Sequence, residues 1–360
     1  MLDELVFGAR EAAWPLIRDD LALSYAAIGL VLAVPSLVAL VVEPVVGLVA
    51  VAGRRRTLVV AGGFVFAAGL LVAATATSWW LLLLGFGLLY PASGAFVSLS
   101  QASLMDLQPA RREHNMARWM VAGGIGAVAG PLLLAGASWG GLGWRGLLVL
   151  LAFVAVALVL VLRRSPAGDV EHERLRLREA VRALVDHDVL RWLLLVELSD
   201  LLLDVLLAFL ALYLVDDVGA SVTTGGLAVA LWTGCSLLGS TAMIPLLRRV
   251  DGLRYLRVSA ALAAGLFAAF LLVPGVAPKL ALVAVLAVVN AGWYPVLQAR
   301  LYDALGGSSS LVLTVGVLFP LDAVLPLAIA GLAGRFGLGV ALWPLLAAPA
   351  ALLVLVPRAR

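Results

Sequence analysis

Runs of about twenty apolar residues, separated by short charged segments, recur along the whole of this 360-residue chain. Each is long enough to cross about 30 Å of hydrocarbon as a helix. In that layer every backbone N–H and C=O must be satisfied within its own helix or within a closed barrel. The alternating segments of about ten residues that a barrel needs are absent, so the runs are helices. Composition agrees: 63% of residues are hydrophobic and 13% charged, against about 25% charged in a soluble domain, and the mean hydropathy is +1.09. About twelve spans are expected, over 1–17, 24–50, 57–77, 79–103, 116–137, 143–163, 191–215, 222–246, 255–274, 279–300, 310–333 and 338–357. The chain is an all-α polytopic membrane protein.

Its basic residues alternate from loop to loop. Arg54, Arg55 and Arg56 follow the second span, and Arg111, Arg112 and Arg118 the fourth. Seven Arg lie between 163 and 191, then come Arg248, Arg249, Arg254, Arg257, Arg300, Arg358 and Arg360. The intervening loops hold only Arg18, Arg145, Lys279 and Arg335. By the positive-inside rule both termini and the long central loop are cytoplasmic. The pI of about 9.3 therefore reflects topology, and no nucleic-acid partner is expected. Cys235 is alone inside a span and reads as a packing residue. The first residues lack the basic flank and apolar core of a secretory signal. No HExxH pair, GxSxG elbow, Cys/His cluster or P-loop occurs, so neither an enzyme, a metal, a cofactor nor ATP as energy source is expected.

An internal repeat organises the spans. "IRDDLALSYAAIG" (17–29) aligns without gaps on "LVDDVGASVTTGG" (214–226), matching Asp19–Asp20 with Asp216–Asp217, Ser24 with Ser221 and Gly29 with Gly226. The same offset of 197 puts "SQASLMDL" (100–107) on "LQARLYDA" (297–304). At 196, "GLG" at 141–143 falls on 337–339, and at 195 Pro131 falls on Pro326. Two similar six-helix halves follow, 1–163 and 191–360, joined by a cytoplasmic linker at 164–190. In the linker Leu177, Val181, Leu184 and Val185 share a helical face, which fits either an amphipathic helix on the inner leaflet or a solvated tether. Met1 pairs with Leu198, so the first helix is expected to be shortened, its start lying upstream or the chain being a shorter form.

Twelve spans in two similar halves with a long basic central loop resemble the major facilitator superfamily of secondary transporters. "GLVAVAGRRR" (47–56) is similar to its glycine-to-basic loop signature through Gly47, Gly53, Arg54, Arg55 and Arg56. "GAVAGP" (126–131) resembles the glycine-proline motif of its antiporters through Gly126, Gly130 and Pro131. These are candidate gating residues. The signature's Asp and basic pair is replaced by Val51 and Ala52, and Glu43, one turn before Gly47, is a candidate substitute carboxylate. Among subgroups the chain looks most like bacterial drug-efflux members, including the fosmidomycin-resistance type. The resemblance implies the major facilitator fold, alternating access, and a cavity lined by spans 1, 4, 7 and 10. It also implies a multi-pass protein of a bacterial plasma membrane, with a small-molecule substrate and protons as partners. A monomer is expected.

The chemistry concentrates in "VELSDLLLD" (196–204). Glu197, Asp200 and Asp204 stand at i, i+3 and i+7, on one face of a regular helix. A carboxylate facing hydrocarbon costs several kcal/mol unless neutralised, paired or hydrated. The stripe is therefore expected to face the cavity and to exchange protons. In the matched first span, Asp3 partners Asp200, while Arg10 and Glu11 lie about a turn outward of the level of Asp204. A guanidinium keeps its proton, so Arg10 needs a charge partner, from Glu11, Asp204 or an anionic substrate. Glu11 joins the proton-coupling candidates. Substrate-cavity candidates are Trp14, Tyr90, Gln101, Asn290, Trp293, Tyr294 and Gln298. The glycines of 121–131 read first as close helix packing, with a hinge or leak-blocking role as what the antiporter resemblance implies. The reading that follows is proton-coupled efflux of a small molecule. Uptake or uniport on the same fold, and a non-transporting membrane sensor or scaffold, are the alternatives.

Overall fold

A computed structural model describes residues 1–50, 54–107, 112–164, 186–247, 249–304 and 321–357. The described residues contain helices and turns and no strand. Two compact units divide the chain, Met1–Arg174 and Leu175–Arg360. The linker expected at 164–190 falls mostly outside the described residues, as does its amphipathic segment.

In the first unit the helices are α1 (Leu2–Leu21), α2 (Tyr25–Val49), α3 (Arg55–Ala74), α4 (79–107), α5 (Arg112–Trp139) and α6 (Gly143–Arg164). In the second they are α7 (187–216), α8 (Val222–Leu246), α9 (Gly252–Leu272), α10 (276–304, broken at 291–292), α11 (Leu321–Phe336) and α12 (338–355). Among the described residues nine helices are long and apolar enough to span a bilayer. The other three are α1, rich in charge, α7, divided by an irregular turn, and α11, described for only 16 residues. Packing within the units repeats: α1 on α5, α2 on α4, α3 on α4 and α3 on α6 correspond to α7 on α11, α8 on α10, α9 on α10 and α9 on α12.

The residues that carry the sequence repeat build one turn twice. Ser24 caps α2 by accepting from the Ala27 N–H at 3.2 Å. Its counterpart Ser221 caps α8 by accepting from Thr224 N–H at 3.1 Å. Each cap satisfies a backbone donor that the helix start leaves without an internal partner. Asp20 accepts from Trp144 Nε1 at 3.1 Å and from Arg145 Nε at 3.0 Å, both at the start of α6. Its counterpart Asp217 accepts from the Gly339 N–H at the start of α12. Gly141 and Gly337, matched in the GLG pair, both have positive φ, 75° and 80°.

A cation also closes the C-terminal end of α3 and of α9, where carbonyls point outward unpaired. In the first unit it is Arg145, whose Nη1 donates to Ala74 O at 2.9 Å and Ala76 O at 2.7 Å. In the second it is Lys279, whose Nζ donates to Tyr213 Oη at 2.7 Å, to Leu271 O at 3.2 Å and to Phe270 O. Lys279, expected in an outer loop, is therefore a buried member of α10, 4% exposed. At the opposite ends, Arg56 donates to Arg163 O at 2.9 Å, and Arg191 and Arg257 to Leu355 O and Leu353 O. Some basic residues that set the expected orientation thus also cap helix C-termini.

Candidate functional site

In α1, Arg10 and Glu11 form a buried ion pair, 5% and 0% exposed. Arg10 Nε donates to Glu11 Oε1 at 3.1 Å, and its Nη2 reaches the same oxygen. Arg10 Nη1 donates to the Tyr90 hydroxyl of α4, and Trp14 Nε1 donates to Glu11 Oε2 at 3.0 Å. The rings of Phe7, Phe86 and Tyr90 surround the guanidinium, with centroids 4.6, 5.7 and 5.3 Å from Cζ. Both Glu11 oxygens are occupied, and the charge of Arg10 is balanced by its neighbour in sequence. Of the partners expected for Arg10, the first unit supplies Glu11. Trp14, expected to line a cavity, is 0% exposed and packs edge-on against Phe86.

In α7 the expected single stripe is modified. Residues Leu201–Val205 form a π turn, which winds more residues into one turn than an α-helix does. The absorbed residue rotates Asp204 by up to about 100° from its α-helical position relative to Glu197 and Asp200. Glu197 and Asp200 are half-buried and Asp204 is exposed, whereas all ten residues from Val205 to Leu214 are buried. Spacing places three carboxylates on one face only where winding is uniform, and the π turn breaks that uniformity at the last of them.

A second π turn, Gly94–Ser98, interrupts α4. Glu43 of α2 lies against it: a Cβ on Gly94 would stand 2.6 Å from Glu43 Oε1. Glu43, expected near the loop signature, thus meets α4. Gly47 has open space around its Cβ position. Gly53 lies outside the described residues, and Arg54 and Arg55 stand at the start of α3. Gly126 and Gly130 serve the α1–α5 crossing. Added Cβ atoms would stand 2.4 Å from Met1 O and 2.4 Å from Leu5 O, while Gly8 of α1 faces Ala127 O at 2.4 Å and Pro131 Cδ at 3.1 Å. This is small-residue packing that brings two backbones together.

In α10 the break is held open by a tyrosine of α9. Tyr255 Oη donates to Val289 O at 2.8 Å and accepts from the Gly292 N–H at 3.2 Å. Gly292 is required there, because a Cβ would approach Tyr255 Cε1 to 2.6 Å. Just before the break, Asn290 is 0% exposed, and neither atom of its amide meets a protein partner. Just after it, Trp293 is also 0% exposed and donates from Nε1 to Ser259 Oγ at 2.8 Å. Trp293, expected at a cavity wall, therefore joins α9 to α10. Tyr294 is exposed, and Gln101 and Gln298 are half-buried.

Sequence reasoning missed Lys279, Tyr255 and the π turns of α4 and α7. The break alone had a local signal: Gly292 and Pro295 both lie inside an otherwise apolar span. Among the described residues no group of His, Cys, Asp and Glu could hold a metal ion.

Residues 7–306 match the family model of the Major Facilitator Superfamily. No curated protein matches the sequence. Among solved structures, the chain is similar to a bacterial homolog of the human lysosomal transporter Spinster, in an inward-facing and occupied conformation. The TM-score is 0.69 at 16% identity, covering 99% of this chain and 91% of that one. It is also similar to the nucleoside transporter NupG, with a TM-score of 0.74 at 15% identity, covering 98% of this chain and 95% of that one. At such identities the likeness is one of fold.

Proposed function

We propose that this chain, which belongs to the Major Facilitator Superfamily, exports a small molecule in exchange for protons, with Asp200 and Asp204 as the coupling carboxylates. The observation that carries the reading is the π turn at Asp204. Such turns are frequent at functional sites, and this one keeps a carboxylate exposed on a helix whose next ten residues are buried. Arg10 has Glu11 as counter-charge in its own helix. Glu197, half-buried one turn before Asp200, supplies a further acceptor. Glu11 serves in this reading as the fixed counter-ion of Arg10.

Substrate contact falls to the broken helix α10. Transporter sites are commonly built where a spanning helix is interrupted, and Asn290 brings an amide without protein partners to such an interruption. Tyr90, Gln101, Tyr294 and Gln298 supply further polar contacts. Because Asn290 is fully buried, contact requires a conformation that opens its surroundings, as alternating access provides. The alternation of Arg-rich loops supports a plasma-membrane protein with both termini inside.

The experiment is a compound screen on proteoliposomes with an imposed proton gradient, comparing the native chain with Asp200→Asn/Asp204→Asn. Substrate movement should drive a pH change in the native protein, and the double variant should lose that coupling. Coupled flux that survives both substitutions would remove these residues from the mechanism. Movement without a pH change would make the protein a uniporter.

A further inference from the structure

At the basic end of the first unit, an open groove of about 460 Å³ runs along α3 beside the end of α6, lined by Arg56, Thr57, Val60, Ala61, Phe64 and Arg163. We infer that this groove binds one anionic glycerophospholipid, its phosphate between Arg56 and Arg163 and its acyl chain along Val60, Ala61 and Phe64. The inference is independent of what the protein transports.

The mouth of the groove is purely cationic on its two helices. Arg55 and Arg56 open α3 and Arg163 and Arg164 close α6, and neither helix contains an Asp or Glu. Guanidinium groups present N–H donors in a planar fork that matches phosphate oxygens. Arg56 and Arg163 are already held together, since Arg56 Nη2 donates to the Arg163 carbonyl at 2.9 Å. That bond holds the Arg56 side chain against the end of α6, where Arg163 also lines the groove.

Beyond the mouth the wall is apolar. Phe64 lies eight residues beyond Arg56, or about 12 Å along the helix axis, so the lining runs from a charged mouth into the hydrocarbon layer. Phe64 is 37% exposed, and on α6 Phe153 and Val161 are 66% and 63% exposed. Side chains of this type and exposure on spanning helices face lipid. The floor is closed, because Gly63 lets the two helices approach until an added Cβ would stand 2.2 Å from Val159 Cγ2. A soluble anion would use the mouth alone, whereas a phospholipid uses mouth and wall together.

The test uses the full chain purified in neutral detergent and titrated with phosphatidylglycerol. Phosphatidylcholine of the same acyl chains and soluble glycerol phosphate serve as comparison ligands. Phosphatidylglycerol should raise the thermal unfolding midpoint and give an adduct in native mass spectra that saturates at one per chain. The comparison ligands should do neither. The pair Arg56→Gln/Arg163→Gln should abolish the effect, and the charge-matched pair Arg54→Gln/Arg164→Gln should retain it. Ala61→Trp, which fills the groove and leaves every arginine in place, should also abolish it. Equal loss in both arginine pairs would mean a diffuse surface potential and would overturn the site. So would full stabilisation by glycerol phosphate or by phosphatidylcholine, or an unchanged response in Ala61→Trp.

Discussion

Ala22 ends α1 with φ 49°, the sole non-glycine residue with positive φ among those described. Its repeat partner is Gly219, with φ 76°. A Cβ in the left-handed region costs about 1 kcal/mol, so the second unit holds the residue this turn prefers and the first does not. Ala22→Gly should raise the unfolding midpoint in detergent, Gly219→Ala should lower it by a similar amount, and equal midpoints would show the turn to be unstrained. The Arg10–Glu11 pair makes a different prediction. Removing one member of a buried pair leaves a lone charge and costs about 3–5 kcal/mol, whereas replacing both with apolar residues of similar volume is often tolerated. Glu11→Leu should therefore unfold far more readily than Arg10→Met/Glu11→Leu. If Glu11 is a counter-ion only, the double variant also keeps its pH-coupled flux; loss of coupling with folding intact would return Glu11 to the proton path. Ser24, Ser221, Asp20 and Asp217 were legible as a repeat because one turn imposes the same caps in both halves. The cations that close α3 and α9 were not, since Arg145 and Lys279 do the same work from non-equivalent helices, α6 and α10.

At the scale of the helix, the glycines of α5 illustrate what sequence conveys well. Gly126 and Gly130 are four apart, one helical turn, and that spacing alone places them on one face ready for a close crossing. The structure supplies the partner, α1, which meets them through Leu5 and Gly8. Uniform winding is the hidden premise of such arguments, and α4 and α7 violate it. Nothing in "SDLLLDV" signals a π turn, because the extra residue is accommodated by packing and not by a local breaker. Deleting Leu202 should remove the π turn and restore α-helical winding while keeping Asp204 and the buried residues after it on their native faces, so that the turn itself is tested. We expect that variant to insert and fold but to lose coupled flux, measured in proteoliposomes against the native chain. Retained coupling would show that the π turn is incidental to the chemistry. The break in α10 is of another kind, since Tyr255 binds both cut ends and Gly292 leaves room for its ring.

For the whole molecule, hydropathy and charge alternation were sufficient for fold class because a bilayer permits so few backbone solutions. Among the described residues the expected spans correspond to helices, and the family follows from a match over residues 7–306. Substrate was not legible, since it depends on a few polar groups whose exposure changes with conformation. Asn290, Trp14 and Trp293 are examples: each looked like a lining residue by type and span, and each is fully buried here. Whether a side chain meets protein or an open path is decided by tertiary packing, which no local pattern encodes.

Lys279 is the only lysine in the chain, and its Nζ is enclosed by Tyr213 and the carbonyl end of α9. Every amine-selective reagent therefore has a single side-chain target, and in the folded protein that target is shielded. Acylation at Lys279, followed over time by peptide mass analysis, becomes a stopwatch on the opening of one helix end. No engineered label is needed to start it.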